Sequence, residues 1–292
     1  MCRDPESSGA VLAPGRPNWE VLAASLVLNF YTVEVNLKLI ACVKATPDTT
    51  AAVKVENGKV TWGEAPMVIN PWDEFTVEAA LRLKETNGGT VTAVSIGGEE
   101  ARIALRHALA MGADDALLIS DPALASPDPQ ASAHILAAVI QKVGSVDLAF
   151  FGRQAIDNDA GTTPAQVARL LGWPALTLVS VIKVDGGGLR VERAVEEGRQ
   201  VVTAKLPAII SVVKDIGEAR FPSFMGIRKA SKAEIPVWSL SNLGIPAPSA
   251  VVEQLELLEA PVREVVCEFI TGNNPQEIAE HLADKVLGEK LL

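Results

Sequence analysis

Residues 150–174 read FFGRQAIDNDAGTTPAQVARLLGWP, and the architecture can be worked out from this stretch. Apolar Phe150-Phe151 runs into Gly152, and a polar loop with Asp157, Asp159, Gly161, Thr162 and Thr163 follows. A short amphipathic segment then stops at Gly172-Trp173-Pro174. Strand, glycine-containing loop and helix start form the repeating unit of an open parallel sheet, where ligands lie beyond the carboxyl ends of the strands. Thr163-Pro164-Ala165-Gln166 predicts a capping box with proline at the first helical position. The helix start leaves backbone N–H groups unpaired and carries the positive dipole end. On spacing alone two readings stand: a capped polar connector, or a cradle for an anionic or nucleotide ligand. Neither GxGxxG nor GxxxxGK[ST] occurs. Asp157 and Asp159 would repel an adjacent phosphate and better suit ribose hydroxyls or backbone N–H groups.

Working outward, the same grammar repeats. Leu39–Val43 is a short apolar run of buried-strand type, and Val53–Trp62 alternates about Asn57-Gly58, a hairpin signal. Asn70-Pro71 opens a helix, with Asn as cap, Asp73 and Glu74 in the first turn, and Trp72, Phe75, Ala79, Ala80 and Leu83 at helical spacing. Thr90–Ile96 is read as a strand, Glu99–Met111 as a helix stopped by Gly112, and Ala116–Ile119 as a strand. Asp128-Pro129 opens a helix to about Val143, before the strand Val146–Phe151. The expected fold class is α/β, a mostly parallel sheet covered on both faces. After Pro174, Leu176–Val184, Leu189–Val195 and Val201–Val213 are read as successive strands of an antiparallel extension, with Gly186-Gly187-Gly188 as a hairpin turn. Three parts are expected: an N-terminal extension over 1–36, an α/β domain over 37–235, and a C-terminal arm over 236–292 that ends in a helix from Pro275. The arm has too few apolar residues for a core of its own.

The chain has 292 residues, 48% of them hydrophobic, and a net charge of −10 without any Lys/Arg block. A basic nucleic-acid surface is not expected. The longest apolar stretch, Val21–Val33, contains Ser25, Asn29 and Thr32 and is shorter than the ~20 residues a membrane span needs. With Asp4, Glu6 and Glu20 upstream it does not read as a targeting peptide either, so the expectation is a cytoplasmic protein without membrane insertion. Cys2, Cys42 and Cys267 are scattered, with no CxxC, which argues against disulfides and zinc. Cys42 and Cys267 are expected in the core. His107, His134 and His281 fall in predicted helices without metal-ligand spacing. No nucleophile–base pattern is evident, so a carrier or binding role is favoured over an enzyme.

Five blocks carry a family resemblance: LIACVKATPDT, INPWDEFTVEAALRLKE, VTAVSIGGEEARIALRHALAMGADDALLISD, FFGRQAIDNDAG and GEARFPSFMGIRKASK, in this order. Together, over about residues 37–292, they resemble the β subunit of electron transfer flavoprotein. The resemblance implies a Rossmann-like domain and a heterodimer with an α subunit that holds most of the redox-active FAD. The β subunit would hold AMP, or a second FAD as in electron-bifurcating, NADH-oxidising members. Electrons would come from dehydrogenases such as acyl-CoA dehydrogenases and leave to a quinone-linked oxidoreductase or another acceptor. A stand-alone nucleotide-binding regulatory domain of the universal-stress type is the alternative outside the family.

Carried over by position, the resemblance assigns the nucleotide to Cys42 and Lys44, to Asn70, Pro71, Trp72 and Asp73, and to Ile96. The main cradle would be Gly152, Arg153, Gln154, Ala155, Ile156, Asp157, Asn158, Asp159, Ala160, Gly161, Thr162 and Thr163. Arg220, Phe224, Met225 and Ile227 would recognise the dehydrogenase, with Phe224 flanked by Arg220 and Arg228, Lys229 and Lys232 adding steering, and the arm would embrace the α subunit. Two departures stand out. Thr162 and Pro164 occupy positions where the family usually has Gln and Gly. PDTT at 47–50 resembles bifurcating members, while NPWDEF at 70–75 resembles those containing AMP.

Overall fold

The structure, a computed structural model, describes residues 36–56, 58–124, 127–185, 187–252, 255–256, 258 and 267–289. The expected N-terminal extension over 1–36 lies outside them except for Asn36, as do the turn residues Asn57 and Gly186. The chain divides into two compact units, Glu64–Glu253 with the residues up to Ala51, and Ala52–Gly63 with Gln254–Leu292.

The first unit is built on a nine-stranded sheet in the order β11 (Gly198–Lys205), β10 (Gly188–Val195), β9 (Ala175–Asp185), β12 (Ala208–Val212), β8 (Leu148–Gly152), β1 (Leu37–Cys42), β6 (Gly89–Ile96), β7 (Asp115–Ile119), β13 (Val237–Trp238). Its parallel centre comprises β8, β1, β6 and β7. The short strands β2 (Ala45–Pro47) and β5 (Met67–Ile69) pair with each other. In β1, Leu37, Leu39 and Ala41 enter one core cluster while Ile40 and Cys42 enter the other. Both faces of the strand are thus apolar, as a parallel strand covered on both sides requires. Helices α1 (Pro71–Asn87) and α2 (Ala101–Met111) share the first cluster, and α3 (Pro129–Val143) and α4 (Thr163–Leu171) the second. The chain therefore leaves β1 toward one face and β8 toward the other. That reversal opens a crevice at the carboxyl ends of these two adjacent strands.

The caps follow the sequence in part. Asp128 accepts a hydrogen bond from Ala131 N at 2.7 Å, as a cap for α3 should. The expected capping box on α4 is not formed. Thr162 is the cap residue in a helical conformation, with no side-chain cap, and Pro164 falls within the first turn rather than opening it. Beyond α4, β9 (Ala175–Asp185), β10 (Gly188–Val195) and β11 (Gly198–Lys205) form the expected antiparallel extension. The single strand expected over Val201–Val213 breaks at Pro207, which has no N–H to continue a ladder. Its second half, β12 (Ala208–Val212), is wholly buried and inserts parallel between β9 and β8.

The expected boundary at Pro236 also moves. β13 (Val237–Trp238) pairs with β7, and α6 (Leu240–Leu243) buries Leu240 in the second cluster. Residues 236–252 thus belong to the compact unit. Before α6 comes α5 (Phe224–Lys232), capped by Ser223, whose hydroxyl accepts from Gly226 N.

The second unit contains the hairpin β3 (Lys54–Glu56) and β4 (Lys59–Thr61), and α7 (Pro275–Gly288), which has no buried residue. Cys267, expected in a core, is exposed there. Its described neighbours Glu268 and Phe269 are exposed as well, although the run Val265-Val266-Cys267 with Phe269 and Ile270 is apolar in sequence. Among the described residues, no helix is long and apolar enough to cross a membrane.

Candidate nucleotide site

The β1–β8 crevice holds a cavity of about 480 Å³. Its floor is organised by one carboxylate. Asp73, in the first turn of α1 and 5% exposed, accepts from Lys44 N at 2.8 Å and from the backbone of Gly152. It thereby joins the ends of β1 and β8. Burial pushes its pKa up to about 7, against the opposing pull of the Lys44 and Gly152 backbones, the Asn70 side chain and the Lys44 charge. Gly152 must lack a side chain. A Cβ there would stand 2.5 Å from Asp73 Oδ1 and 2.9 Å from Trp72 Cβ.

Asn70, 1% exposed, caps α1 by position only. Its side chain is used across the crevice. Nδ2 donates to Gln154 O at 2.9 Å, and Oδ1 accepts from Ile156 N at 3.3 Å. The 153–162 loop is further shaped by Asp159 and Gly161, both left-handed (φ 51° and 60°), and by Asp159 N donating to Ala155 O at 2.8 Å. Aspartate is among the residues that tolerate this conformation. Lys44 Nζ reaches Asp157 Oδ2 at 2.5 Å, closing the rim. If this tether organises the loop, Asn70→Ala removes two hydrogen bonds of about 1 kcal/mol each and should weaken nucleotide binding by up to roughly 30-fold. Calorimetric titration with AMP checks this, and an unchanged affinity would show that the loop holds itself.

The opposite wall comes from β6, α2 and α3: Ser95, Gly97, Gly98, Glu100, Ser132 and Leu136. Ser95 Oγ and Asp157 Oδ1 are buried without a hydrogen-bond partner among the described residues. Unpaired buried polar atoms are costly, and at a cavity wall they point to a ligand with hydroxyl or amine groups. Four helix starts contribute residues to the lining; that of α1 brings the carboxyl of Asp73, while those of α2, α3 and α4 favour negative charge. Glu100 Oε1 already accepts from Gly98 N at 3.0 Å, so the α2 start is partly neutralised by its own chain. The set of donors, acceptors and helix termini fits an adenine nucleotide, with anion-binding ends and carboxylates suited to ribose or base.

Comparison with known proteins identifies the family of the chain. Residues 60–243 match the model of the electron transfer flavoprotein domain. The electron transfer flavoprotein subunit beta of Megasphaera elsdenii is 36% identical over 276 residues, covering 88% of this chain and 100% of the relative. The chain belongs to the electron transfer flavoprotein β-subunit family. A relative from Bacillus subtilis of the same name is 34% identical over 87% of this chain and 98% of its own length. The Caffeyl-CoA reductase-Etf complex subunit CarD of Acetobacterium woodii is 35% identical, over 86% of this chain and 98% of its own length. The family is one of electron-transporting flavoproteins.

Of the residues expected around the nucleotide, Cys42, Lys44, Asn70, Asp73, Ile96, Gly152, Arg153, Gln154, Ala155, Asp157, Asn158, Ala160, Gly161 and Thr163 line the cavity. Pro71, Trp72, Ile156, Asp159 and Thr162 do not. Trp72 instead backs the cradle, tilted against Phe75 at 6.4 Å and lying beneath the Arg153 guanidinium at 5.7 Å. Ile156 contributes its N–H to the tether, and Asp159 shapes the turn. Of the wall from Ser95 to Leu136, only Ile96 was expected from the sequence. Gly97-Gly98 directly after a strand and before a helix was the available signal.

The expected partner residues divide into two kinds. Phe224, Met225 and Ile227 are exposed on α5, and Phe221, which was not singled out, is 95% exposed. Arg220 is bound within its own domain, to Glu78 and Glu85.

Proposed function

We propose that this chain is the β subunit of a two-subunit electron transfer flavoprotein. In this reading it carries no bond-breaking groups of its own and keeps an adenine nucleotide in the β1–β8 crevice. The observation that carries the reading is this crevice. It has a glycine that allows close approach at Gly152, a loop tethered by Asn70, and the unpaired Ser95 hydroxyl in the opposite wall. Asn70, Lys44 and the 153–163 loop would hold ribose and phosphate, with Ser95 and the α2–α3 wall against the rest of the ligand. A flavin, shared with or held mainly by the α subunit, supplies the redox chemistry when bound. The exposed Phe221, Phe224, Met225 and Ile227 would dock a dehydrogenase donor. A quinone-linked oxidoreductase is the proposed acceptor, and the residues beyond Glu253 would clasp the α subunit.

A second reading, with FAD in the crevice and bifurcation from NADH, is favoured by one observation. The cavity continues past the residues expected for AMP, along Gly97-Gly98 to Ser132 and Leu136. One measurement separates the two. The chain is co-expressed with its α subunit, the purified complex is denatured, and released FAD and AMP are quantified by chromatography. About one of each per heterodimer supports a structural adenylate at these helix starts. About two FAD and no AMP supports the second reading. A complex with neither nucleotide would overturn both.

A further inference from the structure

The most exposed apolar side chains of the α5 region stand on one short segment, with Phe221 at 95%, Phe224 at 80% and Met225 at 70%. Side chains this free dock well only from a fixed base, because ordering the loop at each encounter costs binding energy. The base is a buried charge. Glu78, in the middle of α1 with its side chain 4% exposed, accepts from Arg220 Nε at 2.7 Å, Arg220 N at 3.2 Å, Arg220 Nη2 at 3.3 Å and Arg82 Nε at 2.5 Å. Arg220 also forks onto Glu85 at 2.6 and 3.0 Å. Arg82 continues to the carbonyls of Ile216 at 3.4 Å and Glu218 at 2.8 Å. Residues 78, 82 and 85, on one side of α1, thus hold the 216–220 backbone.

The helix beyond is fastened separately. Arg106 Nη1 donates to Ala230 O at 2.5 Å, and Gly226 lies so close to the Ala110 carbonyl that a side chain would collide with it. Burial raises the Glu78 pKa, but the hydrogen bonds from Arg220 and Arg82 outweigh it and hold the carboxyl below its ordinary value. A buried carboxylate is expensive unless fully partnered, and an apolar residue would pack the same helix face beside Val77 and Leu81 at less cost.

Given the docking role proposed above for Phe224 and its neighbours, we infer that Glu78 is a positioning residue for the electron donor. Through Arg220 it sets the pose of Phe221 and Phe224 without touching the donor itself.

The test uses the heterodimer with its α subunit, carrying Glu78→Gln, beside wild type and Phe224→Ala. An acyl-CoA dehydrogenase that reduces the wild-type heterodimer, supplied with its acyl-CoA, is the donor, and flavin absorbance the readout. For Glu78→Gln, the KM for the dehydrogenase should rise about tenfold, the scale of losing one anchor side chain, with kcat within about twofold. Flavin and nucleotide content should not change. Deuterium uptake should rise over 216–222 and stay at wild-type level over β1 and β6. If uptake rises and Phe224→Ala raises KM, yet Glu78→Gln leaves KM alone, the inference is wrong. Unchanged uptake overturns the clamp itself. If neither substitution moves KM, the docking role of the loop falls and this inference with it, whereas uptake still reports on the clamp. Should Glu78→Gln fail to assemble, Arg220→Lys takes its place. It keeps the charge but loses the planar fork, and is expected to move uptake and KM in the same direction.

Discussion

Replacing Gly152 with alanine is expected to strip nucleotide from the purified heterodimer. The added Cβ would stand 2.5 Å from Asp73 Oδ1, 2.9 Å from Trp72 Cβ and 3.1 Å from the Trp72 carbonyl carbon. Neither neighbour can step aside. Asp73 is buried and fixed by Lys44 N at 2.8 Å, and Trp72 belongs to the first turn of α1. The demand at this position is for space alone. Overpacking of this kind costs about 1–3 kcal/mol, and the shift that relieves it must part the start of α1 from the end of β8. That parting opens the floor of the cavity. Chromatography of the denatured complex measures the loss. Gly172→Ala is the control, because nothing lies within 4 Å of its Cβ and it ends α4 in a left-handed conformation (φ 70°). It should cost about 1 kcal/mol in backbone strain and leave the nucleotide in place. Full nucleotide in Gly152→Ala would show that the crevice yields.

The second large effect is a pH dependence carried by Asp73. Burial raises its pKa from 3.8 to about 7, so the folded chain binds this proton more tightly than the unfolded chain does. The stability contributed is complete below the ordinary carboxylate pKa and is lost as pH rises through the folded value. The window is therefore about pH 4 to 7. A three-unit shift corresponds to at most about 4 kcal/mol across it. Other carboxylates act in the opposite sense: Glu78, Glu85 and Asp128 are held below their ordinary values and favour higher pH. The readout is thus the difference between wild type and Asp73→Asn. Asparagine cannot titrate, and it keeps only one oxygen for the two N–H groups, a loss independent of pH. The wild-type unfolding free energy should fall relative to the variant between pH 4 and 7. A flat difference would mean that Asp73 is ionised throughout.

The sequence reading succeeded where local chemistry decides structure. The apolar runs of β1, β6, β7 and β8, the Asp128-Pro129 start of α3 and the Gly112 stop of α2 were all legible, because each depends on neighbours within a turn or a strand. β12 was not. Its pairing with β8 and β9 is made by residues about thirty to sixty positions away, and nothing in Ala208–Val212 says whether the partners run parallel. Arg220 was expected beside Phe224 in partner recognition, and its pairing within the domain was illegible for a similar reason, since Glu78 lies 142 residues earlier. Half of the cavity was found through the glycine of the opening loop. The other half uses Gly97-Gly98, which reads as an ordinary turn until the sheet brings it opposite Gly152.

β13 covers only two residues, yet it does something for the chain beyond completing a count of strands. Leu118 N is bonded to Pro236 O and Ser120 N to Trp238 O, each at 3.0 Å. Those two bonds occupy the outer margin of β7, whose sequence DALLI would otherwise offer an apolar, unpaired edge to any other extended chain. The guard is made late, more than a hundred residues after the strand it shields. A nascent chain, or a fragment ended near residue 235, carries that margin bare and is open to strand-by-strand self-association. Expression boundaries for this domain are therefore best drawn beyond Leu243, where the edge is already shut.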